Sequence, residues 1–455
     1  MSTYRIVTLG CKLNQADSAA LEARLRALGL ARAAGDAPTA QDASTAADLV
    51  VLNTCTVTGG ADREARQIAR RLRRANPRAT LIVTGCYAER DGRTLATLPG
   101  IDHVVGMRDQ AGRIAALAGA ALGLEAPGGE SGGTTPPDSP IDLGRFGATA
   151  ACDPATSDRT RAYLKVQDGC DLRCTYCVIP SVRGDSRSLP PDEVLRRIGD
   201  LSGAGYREIV FTGVNTGDYG KDLSPSLRLH HLIERALAVP GLGRLRLNSL
   251  EPRTIAAEVI ELLAANDGRL ARHLQVPLQS GCDSVLLRMR RNYRTADYAR
   301  VAERLRARIP GIGIGADVIV GFPGETETEF EATCRFIEAS PLNYLHVFSY
   351  SARPGTPAAA MPDAVPSPAV RERSARLRAL GRALSLRFRR SFIGRDLPAL
   401  VLREVRPDGR LRALTDNYID VGIDPGDRPA GDLINRLVVA RVTEARDDDT
   451  LARVA

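Results

Sequence analysis

The chain has 455 residues, 44% hydrophobic and 25% charged, enough for two or three domains that each bury a core. No uncharged apolar run approaches the roughly 20 residues that cross a bilayer, and the first residues read as a strand rather than a secretory leader. A soluble, cytoplasmic protein is expected, in which nine thiols are metal ligands and core residues rather than disulfides. The net charge of +8 is carried almost wholly by arginine, since lysine occurs only at Lys12, Lys165 and Lys221. Arginine's planar fork suits phosphates and bases, so a nucleic-acid partner is one reading. A composition set by GC-rich coding DNA is the other.

Residues 3–120 alternate strands with amphipathic helices. Tyr4–Gly10 precedes a helix near Gln15–Leu28, and Asp48–Asn53 one near Asp62–Ala75. Thr80–Gly85 precedes a short helical turn, and His103–Gly106 is a fourth strand. Such alternation implies a parallel sheet with right-handed crossovers. Each of the first three strands runs into a cysteine, at Gly10-Cys11, Thr54-Cys55 and Gly85-Cys86. Parallel strands end on one edge, where open α/β sheets bind ligands. Three thiols far apart in sequence are therefore expected to converge. Buried structural cysteine is the competing reading, but the repeated placement favours a metal centre with three protein ligands.

Residues 122–158 are rich in Gly, Pro, Ser, Thr and Asp and read as a linker, with Cys152 incidental within it. From Arg161 to about Ala359 the alternation resumes. Strands are expected near Ala162–Gln167, Glu208–Gly213, Arg244–Ser249, His273–Pro277, Gly313–Val320 and Tyr344–Tyr350. Six strands with intervening helices form an open or partial (β/α) barrel with functional loops at the strand C-termini. The loop after the first strand spaces Cys170, Cys174 and Cys177 as C-x3-C-x2-C. Three such thiolates hold three irons of a 4Fe-4S cube and leave one iron open to a small molecule. Zinc is the structural competitor, but zinc loops usually pair C-x2-C with a second such pair or with histidines. No histidine lies between His103 and His230. Arg371–Arg395 reads as a basic helix, and Leu397–Leu402, Tyr418–Ile423 and Leu437–Val442 as strands of a small all-β module.

These residues resemble the radical S-adenosylmethionine (SAM) enzymes, and within them the methylthiotransferases. The loop Gly169-Cys-Asp-Leu-Arg-Cys-Thr-Tyr-Cys-Val-Ile-Pro180 is similar to that family's cluster loop, including Tyr176 before the last cysteine. Leu9-Gly-Cys-Lys-Leu-Asn-Gln15, Asn53-Thr-Cys-Thr-Val57 and Thr84-Gly-Cys-Tyr87 resemble its auxiliary-cluster motifs. Phe211-Thr-Gly-Val-Asn215, Leu250-Glu-Pro252, Pro277-Leu-Gln-Ser-Gly281, Asp317-Val-Ile-Val-Gly-Phe-Pro-Gly-Glu-Thr326 and His346-Val-Phe-Ser-Tyr-Ser351 are also similar. The resemblance covers nearly the whole chain except the linker. Three branches compete: methylthiolation of isopentenyladenosine in tRNA, of threonylcarbamoyladenosine in tRNA, or of a ribosomal-protein aspartate. Gly10-Cys-Lys-Leu-Asn14, Arg288-Met-Arg-Arg-Asn-Tyr293 and Tyr350-Ser-Ala-Arg-Pro-Gly-Thr-Pro357 most resemble the threonylcarbamoyl branch. Asn248-Ser249 departs from the family, where two small hydroxyl residues are expected.

The resemblance implies three α/β and β parts: an N-terminal parallel sheet domain (1–121), a central partial (β/α)6 radical SAM barrel (159–385) and a TRAM-like RNA-binding β-module (390–455). It implies that Cys170, Cys174 and Cys177 bind a 4Fe-4S cluster whose open iron chelates SAM. Reductive cleavage would then give a 5′-deoxyadenosyl radical, needed because adenine C2–H is unactivated and offers no acidic proton. Cys11, Cys55 and Cys86 would hold a second 4Fe-4S cluster carrying the sulfur, and a second SAM would supply the methyl group. Tyr176, Thr212, Gly213, Asn215, Ser249, Gln279 and Asp317 are the candidate SAM contacts, with turn or core roles as the alternative for each. Cys282 and Cys334 read as non-ligands, and His273 and His346 as hydrogen-bonded core. Arg63–Arg74, Arg288–Arg294 and Arg371–Arg395 either grip tRNA or form solvated faces. Expected partners are the tRNA anticodon stem-loop and an electron donor such as flavodoxin or ferredoxin, with the chain acting as a monomer away from membranes. A non-catalytic iron-sulfur RNA-binding protein and a zinc-bound RNA protein are the readings from other classes.

Overall fold

The computed structural model describes residues 1–33, 46–124, 159–223, 227–265, 268–426 and 428–455. Most of the expected linker, with Cys152, lies outside the described residues. Five strands form the N-terminal sheet: β1 Thr3–Thr8, β2 Ala31–Arg32, β3 Leu49–Thr54, β4 Thr80–Gly85 and β5 His103–Val105. They are all parallel in the order β2-β1-β3-β4-β5. Every residue of β3 is buried, as a strand covered by helices on both faces must be. Helices Lys12–Ala27, Gly59–Ala75 and Cys86–Ala96 make crossovers, and Gln110–Leu122, after β5, packs against the first of them. The short turn expected after Thr80–Gly85 is instead the helix Cys86–Ala96, whose Tyr87, Ala88 and Leu95 pack into the sheet core. Its charged residues hide that apolar stripe in a short window.

The central part has β6 Arg161–Lys165, β7 Gln167–Asp168, β8 Arg187–Ser188, β9 Glu208–Thr212, β10 Arg244–Leu247, β11 His273–Gln275, β12 Gly313–Val320 and β13 Tyr344–Ser349. Two parallel sheets, β10-β9-β6 and β11-β12-β13, are joined by a parallel bridge between Leu245 and Leu270. Six strands thus run in sequence order around an open barrel. Polar side chains meet across these strands: Arg246 donates to Glu208, Gln275 to Asp317 and Tyr344 to Gln275, while Asn248 accepts from Lys12. Helix Ser367–Arg390 packs on β13 and leads into the last part.

Strands β14 Asp396–Val405, β15 Leu411–Thr415, β16 Asp420–Asp424, β17 Leu437–Ala445 and β18 Thr450–Val454 close a barrel in the order β14-β15-β16-β18-β17. Its turn Asp416–Tyr418 enters the floor of the central barrel. There Arg246 donates to the Thr415 and Asp416 carbonyls, each at 2.9 Å, and Arg244 to those of Leu414 and Pro398 at 3.1 and 3.2 Å. Glu208 accepts from both arginines, at 2.5 Å from Arg244 and 3.0 Å from Arg246. A side chain at Gly313 could not coexist with the turn, because its Cβ would stand 2.2 Å from the Asn417 carbonyl.

Burial pushes the Glu208 carboxyl up, but Arg244, Arg246 and Arg161 pull harder and hold it well below the usual carboxylate range. Its stabilisation is therefore complete above the unfolded carboxylate range and is lost only as pH falls through the depressed folded value. Glu208→Gln leaves buried guanidiniums uncompensated, a loss of about 3–5 kcal/mol. We expect E208Q to unfold at lower temperature at neutral pH and to expose the C-terminal barrel to limited proteolysis. An unchanged digestion pattern would show that the docking does not depend on this carboxylate.

Candidate functional site

The parallel register sets the first cluster of thiols. Thr54 pairs with Gly85, so Cys55 and Cys86 leave adjacent strands side by side. Cys11 caps helix Lys12–Ala27 just beyond β1. Gly10 is held so close that a Cβ there would stand 2.9 Å from the Cys55 Sγ, and its φ of 96° is also a glycine conformation. Burial pushes the Cys55 thiol up to about 12, and the Cys11 and Cys86 sulfurs add to the shift. The three thiols are thus electrostatic neighbours.

The second set lies on the loop after β7. Burial pushes Cys170 up to about 11 and Cys177 up to about 12, and each feels the Cys174 sulfur. Among the described residues no three His, Cys, Asp or Glu side chains close up tightly enough for a single metal ion. A four-iron cube instead takes each thiolate on a separate iron. Two sets of three soft sulfur donors, free of carboxylate and imidazole, suit that chemistry. Cys282 is partly buried and Cys334 is buried on helix Glu327–Ala339.

Between the two sets sits a buried ion network. Arg183 donates to the Cys86 Sγ at 3.2 Å, to both Asp168 oxygens at 3.1 and 3.2 Å, and to Asn14 and Asp17 at 2.8 Å each. Lys165 bonds Asp17 at 2.5 Å and Asp168 at 3.3 Å. Asn14 and Asp17 belong to the helix after Cys11, whereas Lys165, Asp168 and Arg183 flank the second loop. Burial works against the Arg183 charge, but Cys86, Asp168 and Asp17 hold it on. A second buried arginine, Arg291, donates to the Cys174 Sγ at 3.0 Å and to the Tyr176 hydroxyl at 3.4 Å, and it pairs with Glu251.

The other predicted residues lie along the strand C-termini. The Thr212 Oγ1, at the end of β9, is buried with no hydrogen-bond partner, an open valence toward the cleft. Gly213 is pressed against Gln167, whose Oε1 also accepts from the Asn215 amide at 2.9 Å. The Asn215 side chain is occupied in turn by Asp218, at 2.8 Å. Ser249 and Gln279 sit in the left-handed region with φ of 58° and 65°, backbone strain of the sort stored at binding sites. Asp317 accepts from Gln275 at 2.7 Å and faces the His346 Nδ1 at 3.1 Å. His273 is buried and bonded to the Tyr344 hydroxyl, but His346 is half-exposed at the cleft rather than core.

Sequence reasoning missed Lys12, Arg183, Glu251 and Arg291. Lys12, Glu251 and Arg291 all stood inside motifs already noted, so residue type within those motifs was the available signal. Arg291 corrects the expectation for Arg288–Arg294, since it is buried against Glu251 and cannot grip RNA. Arg373 and Arg389 are likewise turned inward, to Glu325 and to the loop before β18, while Arg378, Arg382 and Arg387 of the same helix are exposed.

Comparison with known proteins agrees with this geometry. Residues 164–337 match the model of the radical SAM superfamily, and residues 3–106 that of the uncharacterized protein family UPF0004. The threonylcarbamoyladenosine tRNA methylthiotransferase MtaB of Bacillus subtilis is 37% identical over 449 residues, covering 98% of this chain and 94% of that protein. The tRNA-2-methylthio-N(6)-dimethylallyladenosine synthase of Acidothermus cellulolyticus is 34% identical over 459 residues, covering 99% and 84%. Among solved structures, the radical SAM methyltransferase TsrM of Kitasatospora setae superposes with a TM-score of 0.54 at 19% identity, over 79% of this chain and 77% of that one, a likeness of fold.

Removing Arg183 leaves two buried carboxylates short of their partner, a loss of about 3–5 kcal/mol. Arg183→Gln should lower the thermal unfolding midpoint by on the order of 10 °C, with Arg183→Lys recovering part of it. A midpoint equal to wild type in calorimetry would show that the network contributes nothing to docking.

Proposed function

We infer the reaction from one premise: this chain belongs to the radical SAM methylthiotransferases, as identities of 37% and 34% over nearly its full length establish. It is a transferase, and its cofactors are two 4Fe-4S clusters and SAM. In our reading Cys170, Cys174 and Cys177 hold the cluster that binds SAM, and Cys11, Cys55 and Cys86 hold the second. Parts 1–121, 159–385 and 390–455 act as auxiliary-cluster domain, radical SAM core and TRAM-like RNA-binding barrel. The substrate is tRNA, and the product is the 2-methylthio derivative of N6-threonylcarbamoyladenosine beside the anticodon. Flavodoxin or ferredoxin in the cytoplasm would supply electrons.

The observation that carries this reading is the meeting, across one buried network at the mouth of an open barrel, of the three-cysteine loop with the three strand ends that carry Cys11, Cys55 and Cys86. When bound, the clusters and SAM supply one-electron C–S cleavage and sulfur, chemistry that an unactivated adenine C2–H demands. The protein's own residues position and insulate. Thr212, with its free hydroxyl, and Ser249, Gln279 and Asp317 line the strand ends where SAM would lie; Gly213 and Asn215 shape the turn beneath them. Tyr176 packs with Val285, Met289, Phe322 and Ala358 into an apolar wall that keeps water from the loop. Arg291 and Arg183 each place a guanidinium on a thiol sulfur, a contact that orients the ligand and offsets the negative charge of an iron-sulfur centre.

The choice of threonylcarbamoyladenosine is supported by three relatives of that name at 37%, 35% and 35% identity. It is supported also by the barrel lining, whose charged and amide side chains are poor company for an isopentenyl hydrocarbon. Nucleoside mass spectrometry of tRNA from a deletion strain should show the 2-methylthio-threonylcarbamoyl product vanish while 2-methylthio-isopentenyladenosine persists. The reverse pattern would overturn the substrate. Replacing Cys11, Cys55 and Cys86 together by Ala should lower the iron bound after anaerobic reconstitution from about eight to about four per chain.

A further inference from the structure

The barrel floor carries more positive charge than its neighbours balance. Tyr418, delivered by the C-terminal barrel, stacks on His273 with ring centroids 4.1 Å apart. The Arg246 guanidinium lies 5.4 Å from the Tyr418 ring centre and the Lys12 ammonium 5.3 Å from it. Lys12 follows Cys11 directly, yet its Nζ donates to the Asn248 Oδ1 at 2.9 Å, across to the end of β10. Arg161, Arg244 and Arg246 gather around one carboxylate, Glu208, and Lys12 adds a further cation beside Tyr418; Asp416 nearby is already engaged by Arg272 at 2.6 Å. Among the described residues Lys12 has no ion-pair partner. The Arg161 Nη1 is buried without a hydrogen bond, 3.6 Å from the Glu208 Oε1.

An ammonium has three N–H donors, and among the described residues the Asn248 Oδ1 accepts one of them while the Tyr418 ring face lies 5.3 Å away. The donors left on Lys12, with the Arg161 and Arg246 guanidiniums adding positive charge nearby, are of the kind that holds a carboxylate. A partly desolvated cation without a counter-charge is costly unless a ligand supplies one. Lys12 directly follows Cys11, and its partner Asn248 directly follows β10, so the lysine stands between the two parts that carry the thiols.

We propose that Lys12, with Arg161 and Arg246 behind it and Tyr418 as its floor, is the subsite for the carboxylate of the substrate's N6 side chain. The proposal rests on the threonylcarbamoyl reading above and names the residues that would discriminate it from an uncharged N6 group. Lys12 is a specificity residue, and Asn248, where the family resemblance led us to expect a small hydroxyl residue, orients it. The same chemistry could be offered by a backbone phosphate, which the test separates.

The test measures binding of anticodon stem-loop oligonucleotides to the reconstituted, cluster-loaded protein. Four ligands differ only at the adenosine: threonylcarbamoyl, its primary amide in place of the carboxylate, isopentenyl, and unmodified. Wild type should bind the acid about tenfold or more tightly than the amide. This comparison needs no variant and so cannot be confused with misfolding. Lys12→Met should shrink the acid-to-amide ratio to within about twofold, and Lys12→Arg should keep most of it. Equal binding of acid and amide, both above unmodified, would overturn the subsite and leave the substrate reading intact. Tightest binding of the isopentenyl loop would overturn the substrate reading itself. Equal weakening of all four ligands by K12M would mark a phosphate contact and also end the proposal.

Discussion

The buried network of Asp17, Lys165, Asp168 and Arg183 is the contact on which the site depends. It joins the first helix of the N-terminal sheet to the cysteine loop of the central barrel, residues 148–169 positions apart in sequence. Buried ion pairs are a poor source of stability, since desolvation consumes most of their attraction. They are a good source of alignment. Apolar surfaces slide over one another at little cost, whereas five hydrogen bonds from one guanidinium accept a single geometry. On the proposed reading, the loop of Cys170, Cys174 and Cys177 and the strand ends bearing Cys11, Cys55 and Cys86 would present sulfur to a common space, which asks for alignment more than affinity.

A second ionic junction closes the other end of the barrel. The edge strands β6 and β13 do not pair, so the central part has an open side and a polar interior that must be satisfied by something. The C-terminal barrel supplies carbonyl oxygens to Arg244 and Arg246, and Glu208 neutralises part of their charge. Each end of the central barrel is thus finished by a different neighbour: thiol loops and the N-terminal sheet at the strand C-termini, the Asp416–Tyr418 turn at the N-termini. The chamber belongs to all three parts.

The elements were legible because their signals are local. Period-two and period-3.6 runs placed all the strands of the first two sheets except Ala31–Arg32, which is too short to show a period. Cysteine at the end of three parallel strands foretold the convergence, since topology alone brings those ends together. What sequence could not show is which charged residues turn inward. Arg183, Arg291, Arg373 and Arg389 look like surface arginines in any window, because the partners that turn them inward, Asp168 and Asn14, Glu251, Glu325 and Thr450, stand 15–169 residues away. The same holds for Lys12, whose partner Asn248 lies 236 positions on. The departure at Asn248 was visible as an anomaly, but its meaning needed the lysine beside it.

Tyr418 changes how the C-terminal barrel is understood. A module that only gripped RNA would be expected to present aromatic and basic side chains outward and to dock through an ordinary apolar patch. Here a tyrosine with φ of 73° is driven into the central barrel, between His273, Arg246 and Lys12. A left-handed tyrosine is disfavoured and persists only where its surroundings hold it. The strain places an aromatic face, and one hydroxyl, where the base of a nucleoside side chain would end. On the proposed reading, a C-terminal barrel that met the tRNA from outside would, through Tyr418, also shape the chamber that takes the adenosine, so recognition of the loop and of its modified base would share one junction.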